Sequence, residues 1–295
     1  MAVTGTTALA DSVAAELVDS KFVETAYAAI VAAGKIKRDR LNGSLVKSYA
    51  KLTAVTAAAL TEGTDGTATA LADTQVSGTL AEIGLGVTLT DLMKVGSSVQ
   101  DLVAQIQNLL GKGYAKKVDE DICTKFTSLT DSVSSTGNPL TEDMFLQASY
   151  EIEANDFVGV EQGAILYPKQ AHNLSAALGG TTENQSAILA RREMLTRMGP
   201  AMANGFKYRV YDVDVFVTTA VQATNTNADS AGAIIVVGES SPFVRCVGVL
   251  DGGEWDGRLE IERDASLRAT EAWITGAQFV AAHNPDAGCQ LISDR

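Results

Sequence analysis

Basic charge is what this sequence most lacks: 23 Lys and Arg stand against 36 Asp and Glu, a formal net charge of −13. A protein that reads nucleic-acid sequence needs a basic footprint, so that class is excluded. An acidic chain can still stand near DNA without gripping it. Histidine is scarce too, and neither His172 nor His283 lies near a cysteine in sequence. The cysteines, Cys123, Cys246 and Cys289, are odd in number and form no CxxC pair. The expectation is three reduced, partly buried thiols and no zinc site. The longest clean apolar run, Ala233-Ile234-Ile235-Val236-Val237, suits a buried strand and falls far short of the ~20 residues that span a bilayer. Near the N-terminus, Asp11, Glu16 and Asp19 break up any apolar stretch, so no signal peptide and no membrane partner are expected.

Aromatics are few at 6%, and Ala, Thr, Gly and Val stand in their place. An interior of small side chains buries little area per residue, so one subunit alone should be modestly stable. The 295 residues suffice for one large domain or two intimate ones.

Signatures of catalysis are absent as well. There is no Walker motif and no GxSxG elbow. Gly84-Leu85-Gly86 and Gly111-Lys112-Gly113 are bare GxG pairs, read as turn or kink glycines. A Ser-His-Asp triad could use only His172 or His283, each read as an ordinary, partly exposed side chain. Asp212-Val213-Asp214 is a DxD pattern, read as solvated acids alternating with valines in a strand. Glu151, Glu153 and Asp156 lack the glycine-centred loop of a calcium site and read as acidic surface. No catalytic, cofactor-binding or metal residue is nominated, and the chain is expected not to be an enzyme.

What is there is a distinctive order of elements. Residues 7–31 read as an amphipathic helix, with Gly34 as its stop. Lys35-Ile36-Lys37-Arg38-Asp39-Arg40 follows as the densest positive cluster, read as a solvated face or an ion-pairing partner for acidic neighbours, with a phosphate contact as the alternative. Leu52 to Met93 has no cation, no aromatic residue and no proline, and five acids: Glu62, Asp65, Asp73, Glu82 and Asp91. It reads as a two-stranded excursion, with Thr53–Thr56 and Gly86–Leu89 as strands and Gly63–Gly66 as a turn. Such a ribbon is marginal alone in water and needs a surface to lie on. Next comes the clearest helix, capped at Ser97 with Gln100. Its apolar residues, Val99 through Leu109, Leu110, Tyr114 and Val118 to Leu129, recur at gaps of three or four. Continuous to Leu129 it would be roughly 45 Å long, with a kink or a close neighbour at Gly111 and Gly113.

After Asn138-Pro139 the pattern mixes helix and strand. Short helices are expected at 141–149, after Pro168, and at 184–198. Strands are expected at 163–167, 211–217, 233–237, 244–250, 259–261, 269–281 and 289–292. There is no internal repeat.

This order resembles the HK97-fold major capsid proteins of tailed bacteriophages over essentially the whole chain. Ile165-Leu166-Tyr167-Pro168 with Leu174, and the ending at Asn284-Pro285-Asp286-Ala287, are similar to the strand-then-helix and final-strand passages of that family's axial domain. The resemblance implies an α+β, HK97-like capsid fold. It places an N-terminal arm at 1–35 and an extended E-loop at 36–97. It places the spine helix and peripheral domain at 98–150 and 245–282, and an axial domain at 151–244 and 283–295. It implies a homo-oligomer of hexamers and pentamers in an icosahedral head around double-stranded DNA, without sequence recognition. A portal protein and separate scaffolding and decoration proteins are the implied partners, and a virion assembled in the host cytoplasm the implied location. The implied self-association residues are Glu62, Gly63, Thr64, Asp65 and Gly66 at the E-loop tip, and Lys112, Lys116 and Lys117 on the spine helix. With no lysine between Lys51 and Lys94, no covalent Lys–Asn crosslink is expected, and with the chain starting at Met1 no scaffolding segment is expected. The alternative on the same fold is an encapsulin-like nanocompartment. Two further alternatives are an acidic α/β enzyme with a carboxylate-bound metal near Asp212 and Asp214, and a filament-forming surface protein.

Overall fold

The computed structural model describes residues 31–52, 59, 62, 73–91, 102–178 and 205–295. The expected helices at 7–31 and 184–198, the cap at Ser97 and the strand Thr53–Thr56 lie outside them.

The first sheet is assembled around one long strand. In it β1 (Lys37–Leu41) runs parallel to β11 (Phe243–Leu250), and β11 pairs antiparallel with β14 (Ala269–Ala282). Along one edge of β14 lies β4 (Ala81–Thr90); along the other, β13 (Arg258–Asp264) and β11 follow one another. The short β12 (Gly253–Glu254) folds back on β11. Helix α1 (Leu102–Cys123) covers one face of this sheet. Ile106, Leu110, Tyr114, Val118 and Ile122 are buried at four-residue steps and pack with Ile274 and Leu89. Leu109, expected on the buried face, is on the solvent side. The helix ends at Cys123, six residues earlier than its apolar period predicts. Thr124, Thr127 and Ser128 there bond back to carbonyls three residues earlier and tighten the chain into a 3-10 turn.

The second sheet has the order β5 (Asp131–Ser134), β15 (Gly288–Asp294), β10 (Asp229–Val236), β6 (Gln162–Leu166), β8 (Val213–Val217), β7 (Phe206–Val210), with β9 (Ala223–Thr224) beside β10. Helices α2 (Glu142–Ala154) and α3 (Pro168–Leu178) supply side chains to the core on one of its faces. Thr141 caps α2 by accepting the Met144 amide. β6 and β10 are buried on both faces. Ala164, Ile234 and Val236 face the α2–α3 side, and Ile165, Ala233 and Ile235 join the core under α1. That is why both read as continuous apolar runs.

Two pairings differ from the sequence reading. Gly86–Leu89 is a strand, but it lies in β4 and pairs with Thr270–Trp273 of β14. The ribbon is built instead from β2 (Val46–Leu52) and β3 (Asp73–Thr79). Gly84 and Gly86 are strand glycines, not turn glycines. A Cβ on Gly86 would stand 2.5 Å from the Trp273 indole, which lies over it. Asp212 is not in a strand either. Tyr211 and Asp212 have φ of 47° and 65° and form the two-residue loop joining β7 to β8.

Candidate functional site

The ribbon's two sides differ residue by residue. Lys47, Tyr49 and Lys51 are half-buried, whereas Val46, Ser48 and Ala50 between them are exposed. On β3, Val76 and Gly78 face the body with them. The period of two aims alternate side chains at the first sheet. Tyr49 donates to Asp39 (3.0 Å), and its ring packs against Phe279 and His283 at centroid distances of 6.5 and 5.7 Å. Lys47 pairs with Asp39 at 2.5 Å, and Lys51 pairs with Asp286, which also accepts from Thr130 (2.8 Å). The Phe279 ring occupies the space where a Gly78 side chain would go. A ribbon expected to lack a seat on its own body therefore has one. Its anchors lie just upstream of Leu52, outside the cation-free stretch that composition singled out.

The electrostatics follow from this seat. Partial burial pushes the Asp39 carboxyl up, but hydrogen bonds from Lys47, the Arg40 amide and Tyr49 outweigh it, and the net shift is downward. Asp286 is held below the usual carboxylate range by hydrogen bonds from Lys51 and Thr130. His283 is shifted down by burial and by Lys37 and Lys51 nearby, so it is a neutral wall of the seat at pH 7.

Beneath the ribbon the sheet and α1 are tied by a buried ionic network. Arg245, 2% exposed, grips Asp256 with both guanidinium nitrogens (2.6 and 3.0 Å) and Gln278 with Nε (2.6 Å). Asp256 also accepts from Tyr114 (2.9 Å) and Arg38 (2.7 Å). Gln278 donates onward to Asp121 of α1, which also accepts from Lys117. The cluster Lys35–Arg40 is thus an ion-pairing stretch as expected: Lys37 meets Glu239, Arg38 meets Glu254 and Asp256, and Arg40 meets Glu254. Asp119 of α1 accepts the amides of Val31 and Ala32, both at 3.0 Å, and so fixes where the chain enters the described body.

The nominated self-association residues fall in two places. Glu62 is an exposed turn residue, and Gly63, Thr64, Asp65 and Gly66 lie outside the described residues. Lys112, Lys116 and Lys117 are exposed on α1; Lys116 pairs with Glu120 and Lys117 with Asp121. The ribbon and the lysines sit on opposite faces of the first sheet. Gln278 points to α1, and its neighbour Phe279 points to the ribbon. Sequence reasoning missed Lys47, Tyr49, Lys51 and their receivers Asp39, Phe279 and Asp286. The alternation of Lys47, Tyr49 and Lys51 with small residues was the available signal.

The remaining sequence candidates form no common site. Arg209 pairs with both Asp214 (3.5 Å) and Asp212 of the hairpin loop (3.7 Å), and His172 is exposed on α3. Among the described residues no three His, Cys, Asp or Glu side chains converge as a metal site, and no helix is long and apolar enough to cross a membrane.

No family model matches this sequence, and no curated protein matches it. Solved structures do match. The capsid structure of the cyanophage P-SCSP1u aligns with a TM-score of 0.62 at 10% identity, covering 89% of this chain and 88% of that one. A structure of Mycobacterium phage Che8 gives 0.60 at 14% identity, over 99% and 96%. The holo-SrpI encapsulin complex from Synechococcus elongatus gives 0.61 at 10% identity, over 98% and 91%. With the order of elements matched along nearly the whole chain, the protein has the HK97-like α+β fold of phage capsids and encapsulins.

Proposed function

We propose that this chain is the major capsid protein of a tailed phage, a structural subunit that assembles as hexamers and pentamers into an icosahedral shell around double-stranded DNA. The observation that carries the reading is the fold match over nearly the full length of shell-forming proteins. The ribbon supports it, because it delivers a 20-residue segment, 53–72, that has only Glu62 and Asp65 as charges. In the proposed shell the E-loop of one copy, including Glu62, Gly63, Thr64, Asp65 and Gly66, lies on the first sheet of the next. The α1 surface with Lys112, Lys116 and Lys117 meets other copies on the opposite side. Weak contacts repeated by symmetry make the shell strong. The acidic surface keeps the container from sticking to its DNA. A portal and, where needed, separate scaffolding and decoration proteins complete the virion, with assembly in the host cytoplasm. The role requires no catalytic centre.

Deleting Gly63–Ala72 tests this. The variant is expected to stay folded by circular dichroism and to form no closed particles by electron microscopy. Normal shells from it would overturn the reading. The encapsulin match favours a second reading, a compartment holding protein cargo. Nuclease-protected double-stranded DNA in particles from infected cells decides for the phage head, and a co-purifying protein filling decides for the compartment.

A further inference from the structure

The chain crosses from the first sheet to the ribbon in four residues, Asn42-Gly43-Ser44-Leu45, between the end of β1 at Leu41 and the start of β2 at Val46. Both sides of this elbow are held. Leu41 is paired with Gly248 of β11, and on the ribbon Lys47 pairs with Asp39 and donates to the Arg40 carbonyl (3.2 Å). The second half of the elbow is tied as well. Ser44 Oγ donates to the Val46 carbonyl (3.0 Å) and accepts the Val46 amide (3.2 Å), and the Leu45 carbonyl accepts from Leu80 (2.8 Å). The first half is not tied. Asn42 and Gly43 are exposed, and among the described residues neither the Asn42 side-chain amide nor the Gly43 backbone amide makes a hydrogen bond. Gly43 has φ of +74°, and a Cβ there would have nothing within 4 Å.

We infer that Asn42 is a self-modification site: it deamidates through Gly43, and the isoaspartyl product loosens the ribbon from its seat. Solvent takes the proton from the Gly43 amide, and the nitrogen attacks Asn42 Cγ. The new N–Cγ bond closes an imide ring, the Cγ–Nδ2 bond breaks, and the leaving nitrogen takes a proton from solvent and departs as ammonia. Water then opens the ring. Breaking the N–Cγ bond gives aspartate; breaking the bond from the same nitrogen to the Asn42 carbonyl carbon gives isoaspartate. The net reaction consumes water and releases ammonia, and nothing is oxidised or reduced. Glycine leaves the attack open, because no Cβ crowds its nitrogen and its dihedrals are free to change. The other described asparagines are closed to this route. Asn138 and Asn284 precede prolines, which have no amide N–H. Asn108 and Asn173 lie inside helices, where the following amide is held by the helix. Asn155 and Asn225 bond their side chains to Asp131 and Asp229, and the amide after Asn227 donates to the Asn225 carbonyl. The second Asn-Gly pair begins at Asn204, outside the described residues. Isoaspartate runs the main chain through its own Cβ and Cγ, which adds a carbon to an elbow fixed on both sides. β1 is locked in the sheet, so the displacement falls on the start of the ribbon.

The test ages the native full-length chain in mildly alkaline buffer and follows it by peptide mapping. Cleavage after Arg40 and Lys47 releases residues 41–47, in which Asn42 is the only side-chain amide. That peptide is expected to convert before those holding Asn108, Asn155 or Asn225, with the mass change of NH2 replaced by OH, and to accept methyl groups from an isoaspartyl methyltransferase. Asn42→Gln, whose longer side chain disfavours the ring, is expected to stay unmodified there. Hydrogen-exchange protection of Val46–Leu52 should fall on ageing in the native chain and hold in Asn42→Gln. Asn42→Asp carries the new charge without the added carbon and should keep its protection. Asn42 still intact in the folded chain when a free 41–47 peptide has converted overturns the site. Equal protection in fresh chain and in chain converted at Asn42 overturns the effect on the ribbon. Loss of protection in fresh Asn42→Asp assigns that effect to charge and overturns the backbone mechanism. None of these readouts depends on shell formation.

Discussion

At the scale of single residues, the most consequential group is Arg245. It is fully buried, and its charge is matched by Asp256, which has three donors in all. Removing one partner of such a pair leaves an uncompensated buried charge, at a cost of roughly 3–5 kcal/mol. Arg245→Leu is therefore expected to destabilise the unassembled subunit by about 3 kcal/mol in urea unfolding. Arg38→Ala removes a partly exposed donor to the same carboxylate, and the expected loss is about 1 kcal/mol or less. The cysteines make a second residue-scale prediction. All three are buried, and burial pushes each thiol up, Cys289 to about 12. The thiolate is the reactive form. A thiol reagent at pH 8 should titrate none of them in the native protein and all three in denaturant; fast native reaction of Cys246 would show that the ribbon lifts off its seat.

At the scale of elements, the ribbon's seat depends on two carboxylates shifted downward. A depressed pKa means the contribution is fully present above the ordinary value of 3.8 and is lost as pH falls through the lower folded value. Hydrogen-exchange protection of Val46–Leu52 should therefore fall below that pH before protection of β10 does. Asp286→Asn should make the Lys51 end equally weak at neutral pH. If both strands lose protection together at every pH, the ribbon is not a separate unit. Helix α1 offers a second case. The sequence predicts a kink or a close neighbour at its central glycines, and the structure has the neighbour: a Cβ on Gly113 would stand 2.8 Å from Leu85 Cδ2. Leu85 is part-exposed, and its methyl end can move. Alanine gains about 1 kcal/mol over glycine in a helix interior. Gly113→Ala is thus expected to be neutral to slightly stabilising, and Gly113→Leu destabilising, in the same urea assay.

At the scale of the whole molecule, small side chains bury little area per residue, so the lone subunit is expected to be less stable than the proposed assembly. Binding to the folded state alone raises apparent stability by mass action. The melting temperature of the proposed particles should exceed that of dissociated subunits, and subunit melting should rise with protein concentration. Equal values at all concentrations would show that contacts between copies contribute nothing.

The sequence by itself determined the elements whose burial is simple. The four-residue step of α1 and the two-sided apolar runs of β6 and β10 are each written in one segment's own pattern, whereas the alternation of Leu259 and Ile261 in β13 marks a strand but not a buried face, since Ile261 is exposed. The odd composition of 52–93 was also legible, because missing cations and aromatics need no partner to be seen. Only the tertiary structure decided which strands pair. Gly86–Leu89 had strand character, but hydrogen bonding to β14 rather than to the ribbon depends on residues 180 positions away. The structure alone, too, gave the ribbon its seat on Asp39, Phe279 and Asp286, and placed the ribbon and the lysines of α1 on opposite faces of one sheet. A side chain's face is set by strand parity, which the sequence shows. What that face meets is set by long-range packing, which it does not.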